Sequence, residues 1–295
     1  MNLLKRTATV AFFVLSVLTV SAQVKPDTTQ AKPVIEKDNR PVRDIFGSGL
    51  MFDQQTVRQP LPGSFEILIQ HRFGTIKNGI QDLYGIYSSS NVRLGVNWSV
   101  VKGLTLGFGT TRYYKLQDFN WKLALLTQKR SGSMPISLSY YGNIVIDGRT
   151  KDNFGPPETY KYVHRLSFFN QLMIARKFSN AFSLQAAASM SYFNAVNPGY
   201  DNSNYDLTFT GKYKITSKMN LIGGYDLPVL TSNAPEIFKP KSNLSLGLEI
   251  GSPTHTFEIF ATSSDYLVNQ YGLAYNTNTY KHNGILVGLN ITVRF

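Results

Sequence analysis

The sequence predicts an all-β fold, a transmembrane antiparallel up-and-down β-barrel of about twelve strands with short periplasmic turns and longer external loops. The first observation is the segment 285–295, in which apolar side chains at odd positions alternate with mostly small or polar ones. Such alternation indicates a strand with two different faces. The second is Phe295, because bacterial outer-membrane barrels usually end on an aromatic residue; we interpret it as the C-terminal barrel signal. A last strand of this kind closes a barrel whose outer face contacts lipid.

Residues 1–22 have the three parts of a secretory signal peptide. Lys5 and Arg6 form a charged n-region, 7–20 is apolar, and Val20-Ser21-Ala22 is a small-residue cleavage site. The apolar run is too short and wrongly flanked for a membrane anchor. The sequence therefore predicts cleavage at that site and export to the outer membrane of a Gram-negative bacterium.

The composition argues against several classes of function. The chain has no cysteine, which excludes a lipoprotein anchor, disulfides and thiolate chemistry. The formal net charge is +12, but no basic motif or stacking platform accompanies it, so nucleic acid is not an expected partner. Basic loops near anionic lipid headgroups, or a basic lumen, explain the charge better.

Residues 23–62 precede the predicted barrel and differ from it in composition. The stretch 25–33 is polar and contains two prolines, as linkers do, whereas 45–52 is more apolar. The sequence predicts a flexible periplasmic leader, to which a periplasmic partner could bind. The alternative is that the apolar part tucks into the lumen or lies on the periplasmic rim.

From Ser64 onward, strand-like segments alternate with turn residues, and residues 63–295 are predicted to form the barrel. In 92–98, for example, the even positions are Val, Leu, Val and Trp, and the odd positions are Arg, Gly and Asn. The predicted strands are 64–74, 90–99, 103–114, 120–129, 134–146, 161–177, 181–193, 205–215, 219–227, 241–251, 254–263 and 283–295.

The connections between these segments support the same architecture. Links after even strands are short, as at 179–180 and 252–253, whereas most links after odd strands are longer, as at 147–160 and 264–282. Short periplasmic turns and long external loops produce this asymmetry. A secreted β-sandwich would explain the alternation, but neither the terminal aromatic nor the unequal loops.

Several short motifs resemble those of a known family. His71-Arg72-Phe73-Gly74, Asp82-Leu83-Tyr84-Gly85 and Asn91-Val92-Arg93-Leu94-Gly95 look like the signature of a functionally uncharacterised outer-membrane β-barrel family of Bacteroidota. The resemblance covers most of the chain after residue 60. It implies a barrel in contact with outer-membrane lipid and, during biogenesis, with the barrel-assembly machinery. It implies no substrate, no cofactor and no catalytic residue.

Strand parity predicts a basic cluster at the external mouth of the lumen. Arg72, Arg93, Lys115 and Lys122 all have inward parity near the predicted external ends of their strands. A positive cluster in a low-dielectric channel attracts anions. The alternative is that these cations pair with acids on loops, such as Asp82 and Asp118, and lock the loops over a closed barrel, since small barrels often fill their interiors. These four residues are candidate selectivity residues.

At the opposite end, Glu66 on the first strand and Arg294 on the last also face inward. These strands are neighbours if the barrel closes, so we predict a barrel-closure ion pair between the two residues. Further inward positions carry both signs of charge, which weakens the case for strong anion selectivity. They are Asp206, Lys212, Lys214, Asp226, Glu249 and Glu258.

Little in the sequence predicts an enzyme or a metal site. There is no Gly-x-Ser-x-Gly elbow, and four histidines without close spacing do not make a metal site. The segment 264–282 carries four tyrosines, which could stack on a sugar or contact a partner. An aromatic girdle with loop packing at the lipid interface is the favoured interpretation, because girdles are standard in such barrels.

Two functions remain open from the sequence. The first, which leads, is a passive channel for small polar, possibly anionic, solutes, indicated by the small, polar and partly basic inward face. The alternative is a closed barrel that serves as an envelope scaffold or partner-docking protein without transport, indicated by the leader and the mixed lumen charges.

Overall fold

The computed structural model describes residues 37–229, 235–281 and 284–295. The predicted signal peptide therefore lies outside the described residues. The first two strands form a short hairpin, and the other twelve form one closed barrel in which sequential strands are neighbours. The predicted fold class, a closed antiparallel twelve-stranded β-barrel, is confirmed.

The hairpin consists of β1 (Leu50–Met51) and β2 (Gln54–Gln55). The barrel strands are β3 (Phe65–Thr75), β4 (Asn91–Val101), β5 (Leu104–Thr111), β6 (Leu116–Leu126), β7 (Ser137–Ile146), β8 (Leu166–Lys177), β9 (Phe182–Phe193), β10 (Ser203–Lys214), β11 (Met219–Pro228), β12 (Asn243–Gly251), β13 (His255–Thr262) and β14 (Leu286–Arg294). In the described part of the connections lie an α-helix, α1 (Asn269–Tyr275), and 3-10 turns at Ile76–Asp82, Tyr113–Lys115, Lys151–Phe154, Tyr162–Arg165 and Glu236–Phe238.

The barrel strands turn their apolar side chains outward and their polar side chains inward. On β12, Leu246 is 59% exposed, while Ser245 and Glu249, which have the opposite parity, are buried. The opposite arrangement is expected of a water-soluble barrel, since exposing this much apolar surface to water costs about 25 cal/mol per Å². The alternation therefore fits a wall that faces lipid on the outside. Among the described residues, no helix is long and apolar enough to cross a membrane.

Pairing of β14 with β3 closes the barrel. The register places Arg294 opposite Glu66 and Ile291 opposite Ile69. Phe65 and Phe295 exchange backbone hydrogen bonds at 3.2 Å and 2.9 Å, so the last residue is tied to the start of the first barrel strand. Because of this pairing the sheet has no open edge, which would expose unpaired backbone N–H and C=O groups to lipid.

The two ends of the barrel differ in the length of their connections. At what we call the short-turn end, the links are 102–103, 127–136, 178–181, 215–218 and 252–254. At what we call the long-loop end, they are 76–90, 112–115, 147–165, 194–202, 229–242 and 263–285. The tight link 112–115 lies earlier than predicted, because β6 begins at Leu116.

The N-terminal segment differs from the predicted flexible leader. Residues 41–62, which we call the plug segment, enter the barrel at the short-turn end, turn back through the β1–β2 hairpin and leave at the same end to begin β3. Phe46, Met51 and Phe52 in this segment are fully buried. The apolar run that we expected in a linker is therefore packed inside the barrel, where lumen side chains bind its backbone. Residues 23–36 lie outside the described residues.

Connection 76–90 at the long-loop end is organised by Asp82. Its carboxylate accepts hydrogen bonds from Ser88 Oγ at 2.6 Å, Gly85 N at 2.8 Å and Asn78 Nδ2 at 3.0 Å. The next two residues, Leu83 and Tyr84, have φ of 51° and 56°. This left-handed conformation is unfavourable for residues with a side chain, so the carboxylate offsets local strain. These hydrogen bonds, that of Ser88 first, hold the pKa of Asp82 below its ordinary value.

The lowered pKa sets the pH range over which this connection stays ordered. A carboxylate with a lowered pKa stabilises the folded form above its ordinary pKa, and this contribution is lost as the pH falls through the lowered value. The rate at which pepsin cuts the wild-type protein at Leu83–Tyr84, divided by its rate on Asp82→Asn at the same pH, should therefore be higher at about pH 2 than at about pH 5. Asp82→Asn should be cut rapidly at both pH values. Asp152→Asn, in connection 147–165, is the matched control, and equal protection of both variants would contradict the role of Asp82.

Candidate functional site: a plugged lumen

The inward wall of the barrel carries both signs of charge. Six carboxylates on the strands are buried, as are four cations. The carboxylates belong to Glu66, Asp118, Asp206, Asp226, Glu249 and Glu258, and the cations to Arg72, Arg93, Lys122 and Lys212. Such a wall can bind polar groups along its length, and here many of its partners come from the plug segment. The described residues contain no group of acids and histidines that could hold a metal ion.

The plug segment enters beside connection 127–136. Val42 N donates to Gln128 O at 2.8 Å, and Pro41 forms an isolated β-bridge with Lys129. This pairing explains why 127–136 is longer than the other links at its end: it serves as a docking strand for the incoming chain.

Cations on the wall bind the carbonyl groups of the entering chain. Lys212 Nζ donates to Asp44 O at 2.8 Å, Arg294 Nη2 to Gly47 O at 2.7 Å, and Lys122 Nζ to Gly49 O at 2.7 Å. Backbone carbonyls buried in a barrel need such donors. The inward cations therefore hold a segment of the protein itself.

The hairpin tip lies deep in the lumen. Phe52 N donates to Glu258 Oε2 at 3.0 Å, and Phe52 O accepts from Asn290 Nδ2 at 2.7 Å. The Phe52 ring packs edge-on against Phe260 with a centroid distance of 4.9 Å. Phe52 has φ of 59°, the left-handed conformation that the tight turn requires. An aromatic anchor and two backbone hydrogen bonds thus fix the tip to β13 and β14.

Amide side chains hold the returning arm of the hairpin. Gln185 Nε2 donates to Gln55 O at 2.6 Å, and Gln185 Oε1 accepts from Val57 N at 2.9 Å. One side chain therefore binds two peptide groups. Gln54 Nε2 donates to Asp226 Oδ1 at 2.8 Å, and its Oε1 accepts from Thr210 Oγ1 at 2.6 Å. These contacts reach β9, β10 and β11, on a different part of the wall from the tip.

The residues predicted to close the barrel meet at the point where the plug segment leaves it. Glu66 Oε1 accepts from Arg294 Nε at 3.2 Å across the seam. The same oxygen accepts from Arg58 Nη1 at 3.0 Å. Glu66 is 1% exposed, so its charge is shared between one cation of the wall and one of the plug segment. The barrel seam and the plug segment are therefore joined through a single carboxylate.

The predicted basic cluster at the external mouth is not found. Lys122 lies well inside β6 and binds Gly49 of the plug segment, because β6 begins four positions earlier than predicted, at Leu116 rather than 120. Lys115 is exposed, because its φ of 52° turns the chain out of the wall and breaks the strand parity. Arg72 and Arg93 face inward but are buried and do not line an open mouth.

Arg93 and Arg72 both contact groups inside the barrel, although Nε and Nη2 of Arg72 are buried without a hydrogen-bond partner among the described residues. Arg93 pairs with Asp118 through two hydrogen bonds, Nε to Oδ2 at 2.8 Å and Nη2 to Oδ1 at 2.7 Å. Arg72 Nη1 donates to Asn290 Oδ1 at 3.1 Å, and its guanidinium lies 4.6 Å above the Phe260 ring. Pairing with Asp118 corresponds to the alternative drawn from the sequence, whereas Asp82 binds within its own loop.

A second segment enters the lumen from the long-loop end. Helix α1 lies in the barrel mouth, where Gln270 Nε2 donates to Asn143 Oδ1 at 2.8 Å. Asn269 Nδ2 donates to Asp53 O at the hairpin tip at 2.8 Å. The hairpin and the helix therefore meet inside the barrel, one from each end.

Three of the four tyrosines of 264–282 do not face lipid, contrary to the girdle favoured from the sequence, and the fourth, Tyr280, is exposed. Tyr266, Tyr271 and Tyr275 pack against Tyr114 and Phe193 inside the mouth, with Tyr271 only 3% exposed. The helix α1 was not expected from the sequence, and it turns these rings inward.

Comparison with solved structures found other membrane β-barrels. A NanC porin is 9% identical, with 78% of this chain and 98% of that chain covered and a TM-score of 0.49. The COG4313 outer membrane channel from Pseudomonas putida F1 is 10% identical, with coverage of 81% and 97% and a TM-score of 0.49. A KdgM porin is 7% identical, with coverage of 79% and 99% and a TM-score of 0.47. Similarities at this level carry no information about a solute.

Comparison with curated proteins gave no match. The family described as membrane-bound beta-barrel domain (DUF5777) matches residues 46–295, a range that includes most of the plug segment and every barrel strand. The chain belongs to this family of membrane-bound β-barrels.

Proposed function

We propose that this protein is an outer-membrane channel for small polar solutes and that the plug segment closes it in the state described here. The long-loop end then faces the exterior and the short-turn end the periplasm, as in bacterial barrels generally. The plug segment enters and leaves on the periplasmic side, so it can leave the lumen without threading past the external loops.

The observation that carries the proposal is the polarity of the wall behind the plug segment. Buried side chains such as Gln70, Gln185, Thr210 and Asn290 form hydrogen bonds with the plug segment. A typical hydrogen bond contributes about 0.5–1.5 kcal/mol net, because water replaces it when it breaks. An emptied lumen would therefore be wetted rather than collapse, and a wetted lumen conducts.

The solute class follows from the balance of charge. The strands carry six buried acids and four buried bases, and the predicted mouth cluster is not there to favour anions. The channel therefore passes small polar solutes by size, with little selection by the wall. The proposed function requires no catalytic step and no cofactor.

Export to the outer membrane completes the proposal, with residues 1–22 acting as a cleaved signal peptide. N-terminal sequencing of protein extracted from the outer-membrane fraction should begin at Gln23. A sequence that begins at Met1 would contradict cleavage.

The channel is tested by emptying the lumen. Proteoliposomes that contain a variant lacking residues 41–60 should swell in an iso-osmotic solution of a small sugar, while those with the mature protein should swell slowly. Folding of each barrel is checked by its heat-modifiable migration in a gel. A correctly folded variant that gives no swelling would contradict the channel.

A further inference from the structure

A cavity at the long-loop end is not explained by the closure of the lumen. It has a volume of about 80 Å³ and lies between α1 and connections 112–115, 147–165 and 194–202. At roughly 10–15 Å³ for each enclosed water, this space holds on the order of six waters, the volume displaced by one six-membered ring with its substituents. Its walls combine aromatic rings with a few charged groups, the usual composition of a small-molecule site.

The charged groups of the cavity leave one positive charge without a partner. Asp147 and Arg149 neutralise each other in an ion pair, with Arg149 Nη2 2.6 Å from Asp147 Oδ2. Arg165 also lines the cavity, but no ion pair in the described part of the chain includes it.

Hydrogen bonds fix the guanidinium of Arg165 and leave its terminal nitrogen Nη2 free within the described residues. Its Nε donates to Tyr160 Oη at 2.6 Å and its Nη1 to Asp147 O at 2.7 Å, while Nη2 donates to no group in the described part. A guanidinium held in this way is preorganised, because its position does not have to be fixed again when a ligand binds. The N–H groups of Nη2 can donate to a negatively charged oxygen.

Aromatic rings also line the cavity. Tyr275 packs against Phe193 and Tyr200, with centroid distances of 5.1 Å and 4.9 Å, and all three residues line the cavity. Tyrosines present a flat apolar face together with a polar hydroxyl. Such a wall accepts a flat ring that carries polar substituents.

We propose that this cavity binds a small carboxylate attached to a six-membered ring, with Arg165 holding the carboxylate and the tyrosines contacting the ring. One uncompensated guanidinium favours a single negative charge over a dianion, since Asp147 lies in the same wall. The site would be the external vestibule of the proposed channel, and its role in solute capture rests on that function. Binding of the carboxylate to this cavity does not depend on the channel function.

The test is calorimetric titration of the refolded mature protein in detergent. Three probes are used: glucuronate, a sugar ring with a carboxylate; benzoate, an aromatic ring with a carboxylate; and glucose, a sugar ring without charge. At least one carboxylate should bind while glucose does not, and the better probe identifies the kind of ring. Arg165→Gln, which removes the charge but can still donate to the carbonyls, should weaken binding about tenfold or more.

Two further variants keep the result interpretable. Arg165→Lys retains the charge without the planar fork and should bind more tightly than Arg165→Gln. Arg176→Gln removes an arginine on β8 near the opposite end and should bind as the wild type does. The proposal is overturned if neither carboxylate binds, if glucose binds as well as glucuronate, or if Arg165→Gln binds normally. Carboxylate binding by a protein whose emptied barrel does not conduct would overturn the channel but not this site.

Discussion

Removal of residues 41–60 should convert a barrel that conducts rarely into one that conducts steadily. Backbone hydrogen bonds from the wall, the buried Phe52 ring and the Arg58–Glu66 pair hold the plug segment. If docking is worth a few kcal/mol, the undocked form has a population of about 0.1–10%. The mean conductance in a planar bilayer should therefore rise about 10- to 1000-fold on deletion.

The same recordings give the charge selectivity of the emptied wall. Because buried acids and bases on the strands are close to balanced, the reversal potential in a salt gradient should be small. A variant lacking 23–36 is the matched control, since it shortens the N-terminus but keeps the plug segment; it should conduct as rarely as the mature protein. Steady conductance in both the control and the intact protein would show that the plug segment does not close the pore.

Replacing Arg93 by methionine should destabilise the barrel by about 3–5 kcal/mol. The substitution leaves the Asp118 carboxylate buried without the guanidinium that now contacts both of its oxygens. The pair spans three strands, from β4 to β6, and crosses β5 at Gly109, where a Cβ would lie 2.2 Å from Arg93 Nη2. The glycine therefore makes room for an ion pair that links alternate strands. Urea unfolding of the protein in lipid vesicles measures the loss.

A double substitution separates the pair from the packing around it. Arg93→Met with Asp118→Leu removes both charges and should recover much of the lost stability, because no uncompensated carboxylate remains. Arg40→Met is the matched control: this arginine pairs with Asp38 at the surface and is 74% exposed, so its loss should change stability little. Equal losses in the single and double variants would show that the ion pair is not the cause.

The wall of the barrel could be predicted from the sequence, because its rule is local. A residue that faces lipid differs from its neighbours that face the lumen, so segments such as 92–98 or 244–250 reveal their strands without knowledge of the rest of the chain. The Glu66–Arg294 pair followed from strand parity and the expected closure of the last strand on the first. Boundaries were less certain, and the four-residue displacement of the start of β6 was enough to place Lys122 at the wrong depth.

The contents of the lumen could not be predicted in the same way. The contacts of Phe52 with Glu258 and Asn290 join residues far apart in sequence, and no periodicity encodes them. One feature of the sequence did indicate the plug segment: a free linker gains nothing from an apolar run such as 45–52. Parity places a side chain inside the barrel but does not say whether it meets water, an acid or a peptide carbonyl. Arg93 and Lys122 both face inward, but Arg93 binds a carboxylate and Lys122 binds a peptide carbonyl.

The plug segment is the first part of the barrel domain in sequence, yet two of its binding partners, Glu258 and Asn290, lie on β13 and β14 near the end of the chain. The segment can therefore complete its contacts only after the rest of the barrel has been built. Docking of the plug segment is therefore the last step of assembly, because it requires β13 and β14 to be in place. A barrel halted before β14 would remain unsealed on its periplasmic side, and protease sensitivity of 41–62 would distinguish finished molecules from unfinished ones.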